Sequence, residues 1–557
     1  MNQTRTFLLI AWLTVALLLF MEWGKAPESA VSATATASDL PATAQAPAPK
    51  PSGDLPPLEA AADGTAAAAT SEPATLRSEL LTIRNEVLAL EIDTRGGRLV
   101  GAELLQYPLT KTPGSANVRL LDNRPGSLYH ADAGLLNARG EALSSEALFA
   151  VESQTADALV LRWQDPGTGL VLRKHFHLAA DSYVLNLRQE IGNPGTQAQV
   201  AYRYSELSRQ APATAARSWA MTDPEAYSFV GAAWYSPGDL FEKRSFADFQ
   251  DDGRLNKDVN GGWIALLQHH FLTAWVPQGD SQHRFQLDWI DAPMQPLYRI
   301  RAVAAVQVDA GAETVDEAQL WIGPKLQEAL DELAPTLKLS VDYGWLTFLS
   351  QPVFDWLLSP FHALTGNWGW AIVLTVLLLK IILYPLATAQ YKSFAKLRAV
   401  QPRIEALKER YGDDKQKFQM AMMELYKKEK INPIGGCLPI LLTFPVFIAL
   451  YWVLLESVEL RHAPWIGWIS NLTAPDPYFV LPAINLLVMW LTQKMTPAPG
   501  MDPLQRKMMM AMPLVFGVMF AFFPSGLVLY WCTNGVLGLA QQWWITRQHG
   551  DKPATAK

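Results

Sequence analysis

Among the 557 residues there are only two cysteines, Cys437 and Cys532. Both lie in or beside apolar segments of the C-terminal third, so no disulfide framework holds the long polar part of the chain. There is no CxxC, no His/Cys cluster and no metal-ligand spacing. A GxxxxGK[ST] loop is absent, which leaves no sign of a nucleotide motor. GxSxG, HExxH and paired-carboxylate arrangements are absent too, so the chain is read as neither an enzyme nor a cofactor carrier. Acid is missing from one further place. No Asp or Glu lies inside any of the five apolar segments of the C-terminal third, and Glu456 stands at the end of one.

What is present is unevenly spread. Half the residues are apolar, concentrated at the extreme N-terminus and in the last third. This is the profile of a soluble domain flanked by membrane spans. The net charge of -7 hides an acidic stretch from about Lys25 to Lys338 and a basic one from Lys392 to Lys430. An acidic total therefore does not exclude local contact with anionic lipid or RNA.

Thr6 to Trp23 follows Arg5 and reads as a retained first span, because the Ala33-Thr34-Ala35 pattern lies too far downstream for a signal-peptide cleavage site. Residues 25–75, rich in Ala, Pro, Ser and Thr, cannot bury a core and read as a disordered tether. From residue 76 to 340 short alternating runs take over. Leu159 to Trp163 reaches a turn at Asp165-Pro166-Gly167-Thr168-Gly169 and returns as Leu170 to Leu172. Tyr183 to Leu187 leads to Asn193-Pro194-Gly195. Many short strands at this spacing predict a large antiparallel β-sandwich. In one strand His175 and His177 share a face; a zinc pair or a relic sugar-epimerase site would need a third ligand or an acid that is not apparent, and strand histidines are the ordinary case. Lys325 to Leu337 reads as a closing helix. Residues 341–366, with Trp345 and Trp356 among Pro352, Asp355 and Pro360, fit an amphipathic helix in the membrane interface.

Five apolar helices are expected near 367–387, 437–456, 477–493, 508–523 and 526–546, which with the anchor at 1–24 makes six spans. Lys and Arg crowd the loop after the first of the five; the loop before Met508 holds Lys494, Arg506 and Lys507, and Arg547 and Lys552 stand at and in the C-terminal tail, 548–557. The positive-inside rule then places both termini in the cytoplasm and the β domain outside it. The basic loop 391–430 reads as a helical hairpin. Arg403, Lys408 and Arg410 lie in its first arm, and Gly412, Asp413 and Asp414 form a stop-and-cap signal before Lys415. Its mixed cationic balance suits transient contact with a ribosome or anionic lipid, not specific nucleic-acid reading.

One charge stands inside an apolar run: Lys380, in Trp368 to Leu386. It either snorkels to the interface, helped by nearby Pro385, or serves a function. With no intramembrane acid to pair with, a charged Lys380 requires water. The Pro/Gly-broken entry Ile431 to Pro439 and Pro445 also call for a wet or protein-covered face. Thr443, Asn485, Asn534 and Gln541 are further candidate groove polars, for each of which plain helix–helix hydrogen bonding is an equal reading. The helix Met508 to Phe523 is about 16 residues, roughly 24 Å against a core of about 30 Å, and so favours bilayer thinning. Its Met508, Met512 and Met519, with Phe516 and Phe520, make it adaptable.

INPIGGCLPILLTFPVFIALYWVL, GNWGWAIVLTVLLLKIILYPL, ERYGDDKQK, SVELRHAPW, DPYFVLP and FPSGLVLYW together resemble the YidC-type membrane protein insertases of Gram-negative inner membranes. The resemblance implies a periplasmic β-supersandwich and a five-helix core with a groove open to cytoplasm and lipid. It places Lys380 where these proteins usually carry Arg, and Thr443 where Gln is expected. Tyr384 and Tyr530 join the implied groove. The implied client path follows Phe444, Phe447, Ile448 and Tyr451 on the third span and the Met/Phe positions on the fifth. Implied partners are nascent membrane proteins, the Sec translocon with its accessory subunits, the ribosome and the phospholipid bilayer. A transporter or channel using Lys380, or an envelope scaffold acting through the β domain, are the competing classes.

Overall fold

The computed structural model describes residues 78–137, 139–212, 228–278, 282–292, 295–411, 414–429, 438–495 and 503–550. The expected N-terminal anchor, the tether, Asp413 and the Pro/Gly entry up to Cys437 lie outside the described residues, as do the side chains of Trp345, Lys415, Thr443 and Phe447. Among the described residues the chain forms two compact units, 78–368 with 449–475, and 369–448 with 476–550.

The first unit is an antiparallel β-sandwich of two nine-stranded sheets. One sheet centres on Tyr129–Leu136, Gln199–Gln210 and Leu297–Val308, the other on Phe271–Pro277, Glu313–Pro324 and Val184–Gly192. Period-two alternation makes these segments strands: in Val171–Leu178, Leu172, Phe176 and Leu178 point into the core while Arg173, His175 and His177 point out. Each fully buried Leu or Phe stabilises the sandwich by about 1.5–3 kcal/mol. The turn expected at 165–169 forms, with the Asp165 carboxylate accepting from the Thr168 amide at 2.9 Å and Gly169 at φ +75°. His175 Nε2 lies 3.2 Å from Glu190 Oε2, and among the described residues no group of three or more His, Cys, Asp or Glu could hold a metal ion.

One inward position breaks the apolar pattern. Lys174 is fully buried, and its Nζ donates to the Gly96 carbonyl at 2.6 Å and the Gly97 carbonyl at 3.3 Å, with Asp132 Oδ1 at 3.7 Å. Burial pulls its ammonium down to about 8 against the opposing pull of Asp132.

The closing helix is shorter than expected, Gln327–Leu333, and stops before Pro335. The interfacial segment is not one regular helix. It runs as a 3-10 turn Gly344–Leu346, a helix Thr347–Val353, a π turn Phe354–Leu358 and a helix Ser359–Thr365, ended by Gly366 at φ +64°. Pro352 and Pro360 each remove a backbone donor and crowd the preceding turn, which forces these adjustments. It is still two-faced: Val353, Phe354 and Leu358 are buried, while Phe348, Trp356 and Leu364 are about three-quarters exposed.

In the same unit the end of the helix Leu438–Glu456 meets polar groups of the β domain. The stacked rings of His269 and His270, centroids 3.7 Å apart, both reach the Leu455 carbonyl through Nε2, at 3.0 and 3.4 Å. They satisfy a carbonyl that a helix end leaves open. Burial pulls His269 down to about 4, so the ring is neutral. Glu459 is buried as well: its Oε1 accepts from the Gln327 amide at 3.3 Å and its Oε2 has no partner. Burial pushes this carboxyl from 4.5 up to about 7. A carboxyl raised in the fold keeps a proton that the unfolded chain has already released. The resulting penalty is absent below 4.5 and complete above about 7, where it amounts to about 3 kcal/mol.

The second unit is helical. Among the described residues no single helix is long and apolar enough to cross a membrane; by length and composition the pair Trp368–Ile382 and Tyr384–Tyr411, bent by 67°, could. The expected span 367–387 bends at Leu383 instead of running as one helix. Pro385 cannot donate to Ile381 and its ring crowds that carbonyl. The expected helix 508–523 covers Pro503–Phe520, with a polar first turn; its apolar part, Lys507–Phe520, is a short helix. Pro503 takes its first position, where a missing amide costs nothing. The last helix, Ser525–Gly550, outruns its expected end at 546.

Replacing Glu459 with Gln is expected to raise the melting temperature of the detergent-solubilised chain at about pH 8 and to leave it unchanged at about pH 4. Scanning fluorimetry at both values checks this; an equal shift at both would remove the titration of Glu459 as the cause.

Candidate functional site

On the helix Trp368–Ile382 the buried side is Gly369, Ala371, Ile372, Thr375 and Val376, a helical stripe at spacings of three and four. Lys380 continues that stripe one turn beyond Val376, just before the elbow, and is half-buried. Its carbonyl, in the turn that Pro385 loosens, accepts from Gln541 Nε2 at 3.4 Å. Opposite stands the helix Ser525–Gly550, on which Asn534, Gly538 and Gln541 fall at spacings of four and three, hence on one face. Tyr391 closes this arrangement, its hydroxyl donating to the Gly538 carbonyl at 3.3 Å.

The electrostatics are one-sided. Among the described residues no carboxylate lies within ion-pair distance of Lys380. On the helix Ser525–Gly550, Asn534 Oδ1, Gln541 Oε1 and Gln542 Oε1 are buried acceptors with no partner among the described residues. Thr375 Oγ1, one and a half turns before Lys380, is likewise unpaired. Unpaired buried polar atoms cost about 1–3 kcal/mol each.

Not every expected groove residue joins. Tyr384 is exposed beyond the elbow. Asn485 is buried and turns its Nδ2 to Met489 Sδ, 3.8 Å away on its own helix, which fits the helix-packing reading. Tyr530 is fully buried in the helix Ser525–Gly550. Tyr391 and Gly538 went unread from sequence. Tyr391 lay within the hairpin by its charge pattern, and a lone glycine in an apolar helix carries no signal of its neighbour. Close packing by glycine was also missed: a Cβ on Gly535 would come within 2.8 Å of Val488 Cγ1, and one on Gly517 within 2.9 Å of Leu486 Cδ1.

Of the expected apolar path, Met508, Met512 and Phe516 form an exposed stripe at spacings of four. Met519 is half-buried, and Phe520 is not open at all: it packs against Phe516, Phe523 and Trp531 at centroid distances of 6.3, 5.6 and 5.7 Å. Phe444 is half exposed and Ile448 and Tyr451 are partly buried.

The hairpin has its own core. Leu397, Val400 and Ile404 of Tyr384–Tyr411 enclose Tyr426 of Lys415–Lys428, with Phe394, Phe418, Met422 and Leu425 around them. The first helix continues through Pro402. Asp414 caps the second by accepting from the Lys417 amide at 3.1 Å, a bond that holds its carboxyl below the usual range. Arg403 pairs with Glu429 at 2.5 Å, and the Arg410 guanidinium lies 5.4 Å over the Tyr411 ring. Lys408 sits on the first arm, half-buried. Arg398 donates to the Met495 carbonyl at the end of Val480–Met495, tying the hairpin to the helices that carry the site.

Truncating Ile404 to Ala removes a fully buried side chain from this small core and should cost the hairpin about 2–4 kcal/mol. Limited proteolysis of the chain in vesicles should then cut near residues 412–429 several-fold faster; unchanged cutting would show that the hairpin does not depend on this core.

Two family models match the chain: "YidC periplasmic domain" over residues 80–356 and "60Kd inner membrane protein" over residues 360–552. A membrane protein insertase YidC of Stenotrophomonas maltophilia strain R551-3 is 48% identical over 571 residues, spanning 100% of this chain and 98% of that protein. One of Xanthomonas campestris pv. campestris strain B100 is 47% identical, spanning 100% and 99%. Among solved structures, an active YidC insertase with its first transmembrane domain resolved matches at 19% identity and a TM-score of 0.37, covering 84% of this chain and 92% of that one. A galactose mutarotase related enzyme of Lactobacillus acidophilus matches 44% of this chain and 97% of that one at 11% identity and a TM-score of 0.33. Near-half identity along the whole chain carries the assignment, without the structural likenesses: the chain belongs to the YidC family of membrane protein insertases.

Proposed function

We propose that this chain inserts newly made proteins into the bacterial inner membrane through a hydrated groove lined by Lys380, and helps them fold. The observation that carries the reading is the half-buried Lys380 without a carboxylate, among the unpartnered acceptors of Asn534, Gln541 and Gln542. A cation that has no fixed counter-ion is available to an acidic segment of a client. Acceptors that no protein donor uses are available to water and to the client's backbone amides.

The mechanism needs no covalent step. A client's polar N-terminal region enters the groove and its apolar segment slides along Met508, Met512 and Phe516 into lipid. Burying about 20 apolar residues in hydrocarbon supplies the driving force, and the membrane potential assists acidic tails outward. Thioether side chains suit a path that accepts many sequences. Lys offers a diffuse charge where Arg would offer a bidentate fork, so the groove ranks clients by net charge more than by carboxylate geometry.

The reading includes six spans with both termini in the cytoplasm, a periplasmic β domain over residues 76–340 and an interfacial segment over 341–366. Action alone or with the Sec translocon, and brief contact of the hairpin with the ribosome, belong to it as well.

Two measurements test this. Vesicles depleted of the chain should lose insertion of a small single-span client and regain it on reconstitution. Unchanged insertion with lost solute flux would favour a transporter instead. Lys380→Ala should lower insertion of clients with acidic N-tails about fivefold, the worth of one partly hydrated charge contact, and that of neutral-tailed clients much less; equal losses would remove the electrostatic role.

A further inference from the structure

Lys380 does not extend into open space. A Cβ built on Gly538 would stand 3.4 Å from Lys380 Nζ and 3.7 Å from the Tyr391 hydroxyl, and among the described residues no other atom beyond its chain neighbours and its own helix backbone comes within 4 Å. The ammonium therefore rests over the bare backbone of Gly538, and the hydroxyl of Tyr391 holds that same residue by its carbonyl at 3.3 Å. One residue of the helix Ser525–Gly550 thus meets both the cation and the tyrosine through a surface without a side chain.

We infer that Gly538 is the seat of the Lys380 ammonium, and that the size and charge of the side chain at 538 set how strongly the groove favours acidic clients. The inference rests on the groove reading above and assigns it a positioning residue. Two features make the seat specific. The Gln541 side chain binds the Lys380 carbonyl from the next turn of the same helix, so the lysine backbone is fixed while its side chain is steered by position 538. The flanking acceptors Asn534 Oδ1 and Gln541 Oε1, without partners, leave a polar surround into which a displaced ammonium would not be lost to lipid.

The geometry grades the substitutions. A methyl group at 3.4 Å makes ordinary contact, so Gly538→Ala fits without moving the lysine. A Leu side chain extends beyond the Cβ into the place of Nζ, and the flexible lysine must swing away. An Asp places its carboxylate oxygens within ion-pair reach of Nζ and neutralises the charge that a client would otherwise meet. Gly535 and Gly517, unlike Gly538, lack space for a Cβ, and there the obstacles are apolar side chains of the helix Val480–Met495, Val488 and Leu486; their substitution disturbs packing alone and serves as the control.

The test uses the full chain in membrane vesicles with two readouts. Modification of Lys380 by a water-soluble amine reagent, followed by peptide mass spectrometry, reports where the ammonium lies. The ratio of insertion of an acidic-tailed to a neutral-tailed client reports selectivity. Gly538→Ala should change neither. Gly538→Leu should alter the modification rate several-fold and lower the ratio about fivefold, the loss expected for Lys380→Gln. Combined with Lys380→Gln it should lower the ratio no further. Gly538→Asp should abolish the preference for the acidic-tailed client, and Gly535→Ala should lower both clients equally. An unaltered modification rate in Gly538→Leu overturns the seat. An altered rate with an unchanged ratio, while Lys380→Gln does lower it, overturns the role of 538 in selectivity. A ratio unchanged in Lys380→Gln itself takes down the groove reading, and the modification rate then judges the seat alone.

Discussion

A half-buried cation with no carboxylate in reach among the described residues, Lys380, stands at the centre of the helical unit. A charge in an apolar helix is expensive unless paired or hydrated, and among the described residues nothing acidic approaches Lys380. Other features of the helices lie around that constraint. The elbow at Leu383 ends the helix one turn beyond the lysine. The opposing helix presents amide side chains and a glycine rather than bulky apolar groups, and Tyr391 and Gln541 fix the backbone on either side.

The β domain handles buried charge in the opposite way. Lys174 is fully enclosed, yet two carbonyls and Asp132 receive its ammonium. Glu206 and Arg301 face each other as a pair, and burial opposed by Arg301 leaves the Glu206 carboxyl at about 2. Paired charges of this kind add rigidity and no reactivity. Lys174 and Glu206 thus have charged or polar partners inside the sandwich, whereas among the described residues Lys380 has no carboxylate in reach.

Much of the fold was legible because it follows from short-range rules. Alternation of two marked the strands, Asp165 to Gly169 marked their turn, and Asp414 marked the start of the second hairpin helix. The failures have equally specific causes. Pro402 alone would break a helix, but the hydrophobic contacts of Leu397, Val400 and Ile404 with Tyr426 hold the helix through it. Pro385 was read as a mark near the end of a span, and it became an elbow. Residues 341–366 kept their two faces but not their regular helix, since two prolines removed donors that no neighbour replaces. Phe520 looked like one more member of an adaptable stripe, yet an aromatic cluster with Trp531 claims it.

From residue order alone came the family signatures and the absence of acid from the apolar segments around Lys380. These are properties of composition and spacing, readable without knowing which helices touch. Which groups surround the cation is a different kind of fact. Gly538, Tyr391 and Gln541 lie 11 to 161 positions from Lys380 in the chain, and nothing local marks them. Helix packing brings them together, and a glycine matters there only because of what stands opposite the side chain it lacks.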